Sequence, residues 1–172
     1  MAKSISSRTI QVITYSTPLP AEDVFSLIDT EVARGPPITD WRRPPDITPE
    51  QFARRVDVSV GISGFRFYNW YDHGEWLQIY NKADDPACAA RVYVLGNPLI
   101  ARTLLSRDLR AGLNVPIRLF VMGKPDGKGT ELIYQLPSSA IQGDEKMKAA
   151  AHVLDEKVAQ LVRRVIQPST KL

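Results

Sequence analysis

An α+β fold, a single domain with a largely antiparallel sheet and helices packed on one face, is predicted by three observations. Short β-branched and aromatic runs recur along the chain, several joined by hairpin-length links. A segment from Asp144 to about Ile166 carries apolar residues at helical spacing. The inferred order, β-α-β-β-β-α-β-β-α, lacks the regular strand–helix alternation of a parallel sheet. The 172 residues suit one domain, 1–172, with a sizeable core.

Arg8 to Tyr15 alternates and reads as the first strand, ended by Pro18 and Pro20. Ala21 to Arg34 reads as a helix. Glu22 and Asp23 suit the positive end of its dipole, and Gly35 stops it. Residues 35–49 form a proline-rich connector or lid containing Trp41, Arg42 and Arg43. Thr48, Pro49 and Gln51 open a short second helix as N-cap, first residue and capping-box partner. Phe65 to Tyr71 reads as a strand, Asp72-His73-Gly74 as a tight turn, and Glu75 to Tyr80 as the returning strand. Arg91 to Leu95 is the next strand, and Asn97 caps a helix whose first residue is Pro98. Val115 to Met122 and Thr130 to Leu136 form a hairpin around KPDGKG, closed by Pro137. In the final helix Met147, Ala151, Leu154, Val158, Leu161 and Val165 share one face. His152 falls off that face, towards solvent.

Composition removes several function classes. The net charge of +3 is spread among interleaved acidic residues, so no basic stripe for nucleic acid emerges. No apolar run approaches the ~20 residues that span a bilayer. The N-terminus lacks the apolar core of a secretory signal, and a cytoplasmic protein is expected. Cys88 is the only cysteine, which precludes an intrachain disulfide and a thiolate zinc site. Neither a metal nor a cofactor is expected.

The polar chemistry gathers in a few segments. DHGEW sets His73 beside Asp72 and Glu75, where a carboxylate can fix the imidazole tautomer, with Trp70 and Trp76 as apolar walls. The plainer reading is a hairpin turn with a surface histidine and two core tryptophans. Asn97 at a helix start leaves backbone N–H groups that can meet an anion, although an ordinary capped helix is the favoured reading, asparagine being a good cap. Asp108 falls on the apolar side of its helix by spacing and needs a partner there. Tyr134 shares a strand face with Leu132 and Leu136, and Ser138 follows the proline stop without a serine-hydrolase elbow around it. Trp41 and Arg42 could clamp an acidic ligand from the connector.

The segments FYNWYDHGEWLQIY, RVYVLGNPLIARTLLSRDLRAGLNVPIRLFVM and ELIYQLPSSAI resemble the core of the fungal-type DUF302 domain. The matching positions are His73, Gly74 and Trp76; Gly96 to Ala101; Asp108, Ala111 and Gly112; and Pro137 to Ser139. Bacterial members resemble the chain at the GNP segment but carry an Asp-His-Ala-Ala type sequence where this chain has Asp72-His73-Gly74-Glu75. The resemblance implies a compact α/β sandwich, often dimeric, with no settled catalytic residues.

These residues suggest a small-molecule site in which His73 transfers protons, Asp108 orients or balances charge, and Tyr134 donates to a developing oxyanion. That would make a cofactor-independent isomerase, cyclase or lyase acting on an apolar metabolite. Trp41, Arg42, Trp70, Asp72, Glu75, Trp76, Asn97 and Ser138 would contact the ligand. The alternatives are a non-catalytic binder of an apolar or haem-like ligand, and a dimeric scaffold without a pocket. A homodimer buried through the aromatics of Phe65 to Tyr80 would cover the sheet's other face.

Overall fold

Alternation in five segments builds one antiparallel sheet. The computed structural model describes residues 1–33, 46–80 and 89–167. The strands are β1 (Val12–Thr17), β2 (Arg66–Asp72), β3 (Ala90–Gly96), β4 (Ile117–Gly123) and β5 (Thr130–Gln135). They lie in the order β1-β5-β4-β3-β2, with every neighbouring pair antiparallel. Gly127 and Gly129 take positive φ in the turn between β4 and β5, a conformation that glycine adopts without steric cost.

The helices are α1 (Ala21–Glu31), α2 (Pro49–Asp57), α3 (His73–Leu77), α4 (Pro98–Leu105), α5 (Pro137–Ala140) and α6 (Glu145–Ile166). Side chains alternate across a strand, so Tyr93, Leu95, Leu119, Val121, Leu132 and Tyr134 share one face. All six are buried in a single cluster with Val24, Phe25 and Ile28 of α1, Leu104 of α4, and Leu154, Val158 and Leu161 of α6. Full burial of such a side chain contributes about 1.5–3 kcal/mol relative to exposure, so the α6 stripe is a main source of stability. The opposite face carries Val92, Arg118, Phe120 and Ile133, none fully buried.

The single-domain α+β fold stands as predicted, with three local differences. The returning strand expected over 75–80 is helical: α3 followed by a 3-10 turn, Gln78–Tyr80. Asp72 caps this helix instead of opening a hairpin turn, its side chain accepting from Glu75 N at 3.0 Å. The sheet therefore has five strands rather than six. Helix α1 ends at Glu31, before the expected Arg34, because Val32 is extended and Ala33 bridges to Arg66 at the sheet edge. The first strand begins at Val12 rather than Arg8. Upstream of it the Arg8 guanidinium donates to Ala140 O, and Gln11 N donates to the Ser139 hydroxyl.

Candidate functional site

At the DHGEW corner Asp72, His73 and Trp76 are engaged by neighbouring groups. Asp72 ends β2 and caps α3 with Oδ1, while Oδ2 accepts from Arg91 Nε at 3.0 Å and Nη2 at 2.8 Å. The Arg91 guanidinium lies between the Phe25 and Trp70 rings, 4.0 and 4.1 Å from their centroids. Burial alone would raise the Asp72 pKa. The Arg91 hydrogen bonds and the Glu75 and Gly74 N–H groups outweigh it and hold the carboxyl below its ordinary value. Trp70 and Asp72 thus hold Arg91, which fastens α1 to the edge of the sheet. His73 Nδ1 accepts from Trp76 Nε1 at 3.3 Å, and its ring meets the edge of Phe120 at 6.4 Å. The Glu75 side chain is exposed.

The three proposed catalytic groups do not converge. Phe120, the neighbour of His73, pairs across β4 and β5 with Ile133 and lies on the open sheet face. Tyr134 is the next residue and points to the other face, beneath the helices, with 4% of its surface exposed. Burial, then the nearby Tyr15 hydroxyl and Asp155 carboxylate, push the Tyr134 pKa up, so its phenol stays protonated. Asp108 is not on the apolar side of α4. The helix ends at Leu105, and Asp108 caps a following 3-10 turn, Leu109–Leu113, by accepting from Arg110 N at 2.9 Å. The exposed Arg110 guanidinium pairs with Asp108 at 2.8 Å and lowers its pKa. His73 lines neither the hollow that includes Asp108 nor the one that includes Tyr134. Ser138 is held by its backbone, its N donating to Asp155 Oδ1 at 2.9 Å. Trp41 and Arg42 lie outside the described residues.

The GNP segment instead builds the wall of a cavity of about 600 Å³. Buried Phe65, Leu95 and Leu154 form its floor, and Pro98, Ala101 and Leu105, one face of α4, form a side. Phe52 of α2 and Tyr68 of β2 contribute aromatic rings, and the lining is overwhelmingly apolar. Asn97 Oδ1 accepts from Leu99 N at 2.9 Å and Ile100 N at 3.4 Å, so the helix start has no free cradle for an anion there. Asn97 Nδ2 donates to Gly64 O at 2.9 Å, tying α4 to the turn before β2. Gly96 gives the Tyr68 ring its place. A Cβ at this position would lie 2.6 Å from Tyr68 Cε2 and 3.1 Å from Pro116 Cβ.

Residues 43–166 match the family described as "Domain of unknown function DUF302". The chain belongs to the DUF302 family. A crystal structure of an uncharacterized conserved DUF302 protein from Bacillus stearothermophilus is similar in fold, with a TM-score of 0.60 at 16% identity. The similarity covers 90% of this chain and 97% of that one. No curated protein matches the chain.

In this DUF302 chain the cavity draws on Tyr68, Phe52, Arg102 and Leu105, none of which is a site candidate from the sequence. Tyr68 is the extra residue of a β-bulge, where the β2–β3 register shifts between Phe67 and Asn69. The adjacent pair Phe67-Tyr68, after the alternating Phe65-Arg66-Phe67, was the available signal, because neighbouring aromatics violate strand alternation. Among the described residues no helix is long and apolar enough to cross a membrane.

Proposed function

We propose that this DUF302 chain binds a small, largely apolar molecule in the cavity beside Asn97. One observation carries the reading: helices α2, α4 and α6 and the end of the sheet leave a hollow of about 600 Å³ between them, within the size range of ligand pockets. The acid–base reading needs His73, Asp108 and Tyr134 at one hollow, and their separate positions give it no support. A haem-like ligand is less favoured, since no His, Cys or Met lines the cavity among the described residues and burial keeps the Tyr68 phenol, the remaining axial-ligand type there, protonated. Within the family, the HGxW, GNPLIA and PSS segments favour the fungal-type group.

The test is the fluorescence of N-phenyl-1-naphthylamine, a neutral apolar probe. Wild-type protein should brighten it saturably. Ala101→Phe, which fills the cavity from α4, should abolish the signal while the thermal melt stays cooperative. Undiminished probe binding in that variant would move the site elsewhere.

A homodimer also belongs to this reading, through the open sheet face, to which Tyr71, paired with Val92, brings one of the predicted aromatics. Phe65 is fully buried within the chain, and Phe67 and Trp70 pack against Tyr93 on the helix side. The open face presents the row Ile133–Phe120–Val92, with Arg118 towards one end and Glu131 towards the other. A two-fold axis lying across the strands brings the Arg118 end of one copy over the Glu131 end of the next. Sedimentation equilibrium should report a dimer that Phe120→Glu dissociates; a monomeric wild type at high concentration would exclude it.

A further inference from the structure

The cavity's rim and floor differ in a way that specifies its ligand. The floor residues are buried and apolar, whereas Arg102, Ser106 and Leu109 at the mouth are exposed. Among the described residues Arg102 is the only formally charged one in the lining, and no carboxylate joins it there. Among the described residues its guanidinium has no ion-pair or hydrogen-bond partner; the arginines at 91, 107, 110 and 164 each have one. The other polar groups of the lining are neutral, Ser106 among them as an exposed hydroxyl at the mouth. Asn97 is spent on its cap and on Gly64 O, and burial raises the Tyr68 pKa, so that phenol stays neutral.

From this we infer that the ligand is an amphiphile with an apolar body and one anionic head group, of the fatty-acid kind, held tail-inward with its carboxylate on Arg102. This rests on the cavity reading above and adds a charge and an orientation to it. An apolar floor offers an ionised head nothing to replace its water, so the head must stay at the mouth. There the planar guanidinium fork matches a carboxylate. A cationic head would meet Arg102 as a like charge. A neutral head would gain no ion pair.

Competition against N-phenyl-1-naphthylamine with decanoate, decanol and decyltrimethylammonium at neutral pH tests this in wild-type protein, Arg102→Gln and Ala101→Phe. Wild type should bind decanoate best and decyltrimethylammonium worst. Arg102→Gln should weaken decanoate by about three- to tenfold, as expected for a charge-assisted bond at a partly solvated rim, and leave decanol unchanged. Added salt should narrow the gap between decanoate and decanol in wild type only. Equal binding of decanoate and decanol by wild type, or an unaltered decanoate affinity in Arg102→Gln, overturns the inference while leaving the cavity reading intact. Failure of the probe and all three competitors to bind wild type overturns both. The Arg102→Gln melt should match wild type, because no described partner is lost.

Discussion

The DHGEW corner and the GNP cavity are opposites in composition and in what they leave available. The corner concentrates an imidazole, two carboxylates, an indole and a nearby guanidinium, yet its polar atoms largely serve one another. Asp72 divides its two oxygens between a helix cap and Arg91, and Trp76 donates to His73. The cavity is lined mostly by carbon, and it keeps open space and, among the described residues, one cation without a partner. Reactive groups crowded into five residues tend to satisfy each other locally, as buried and half-buried polar atoms must. A site needs space and unspent bonding capacity, and those depend on what distant segments fail to fill.

The largest effect is expected at Asn97, which shapes the cavity without being a reactive group. Asn97→Ala removes the cap of α4 and leaves Gly64 O without its donor. The combined loss should be about 2 kcal/mol in chemical denaturation, with weaker probe binding as the α4 wall loosens. Asn97→Asp keeps the cap acceptor but turns a carboxylate oxygen towards Gly64 O in place of the donor, so it should recover less than half of that. Gly96→Ala comes next. Its methyl meets Tyr68 Cε2, and displacing that ring should cost about 1–2 kcal/mol and lower probe affinity. A Gly96→Ala protein with wild-type affinity would show that the Tyr68 wall is dispensable, and the contrast between the regions would then blur.

The fold was legible where a single local rule decides. The Thr48–Gln51 capping box, the Asn97-Pro98 start and the apolar stripe of α6 from Asp144 are all present as read. Misreadings arose where two local rules compete. Asp-His-Gly suits a tight turn, but Asp72 followed three residues later by Glu75 is equally a helix start, and the cap prevailed. Asp108 was placed by extending helical spacing past Leu105, where the helix had stopped. The Asp72–Arg91 pair and the cavity were illegible for a different reason. The pair joins residues 19 apart, and the cavity is a volume left between α2, α4, the α6 residue Leu154 and the sheet end. A void has no residue of its own to announce it.

The corner has a smaller, pH-dependent signature. Arg91 and Asp72 are 16% and 21% exposed at the side chain, between the surface and interior cases, so Asp72→Asn should cost about 1 kcal/mol at neutral pH. The folded pKa of Asp72 lies below its ordinary value of 3.8, which fixes the sign. The stabilisation is complete above the unfolded value and drains away as pH falls through the folded one. Stability measured against pH should therefore fall more steeply on the acid side in wild type than in Asp72→Asn, and the two should converge at low pH. Parallel acid limbs would mean that Arg91 is held by its aromatic sandwich alone.

His73→Ala carries the smallest expected effect and the sharpest contrast. The imidazole accepts one hydrogen bond from a half-exposed indole and touches Phe120 on the open face; the cavity lies elsewhere. Its removal should shift the melting temperature by no more than about a degree or two, as for a surface change within ~0.5 kcal/mol. Binding of the probe and of decanoate should be unaltered. If His73→Ala instead abolished binding, the imidazole would have to act on the cavity from across the sheet. The corner and the hollow would then be one site, and the proton-transfer reading of His73 would regain its footing.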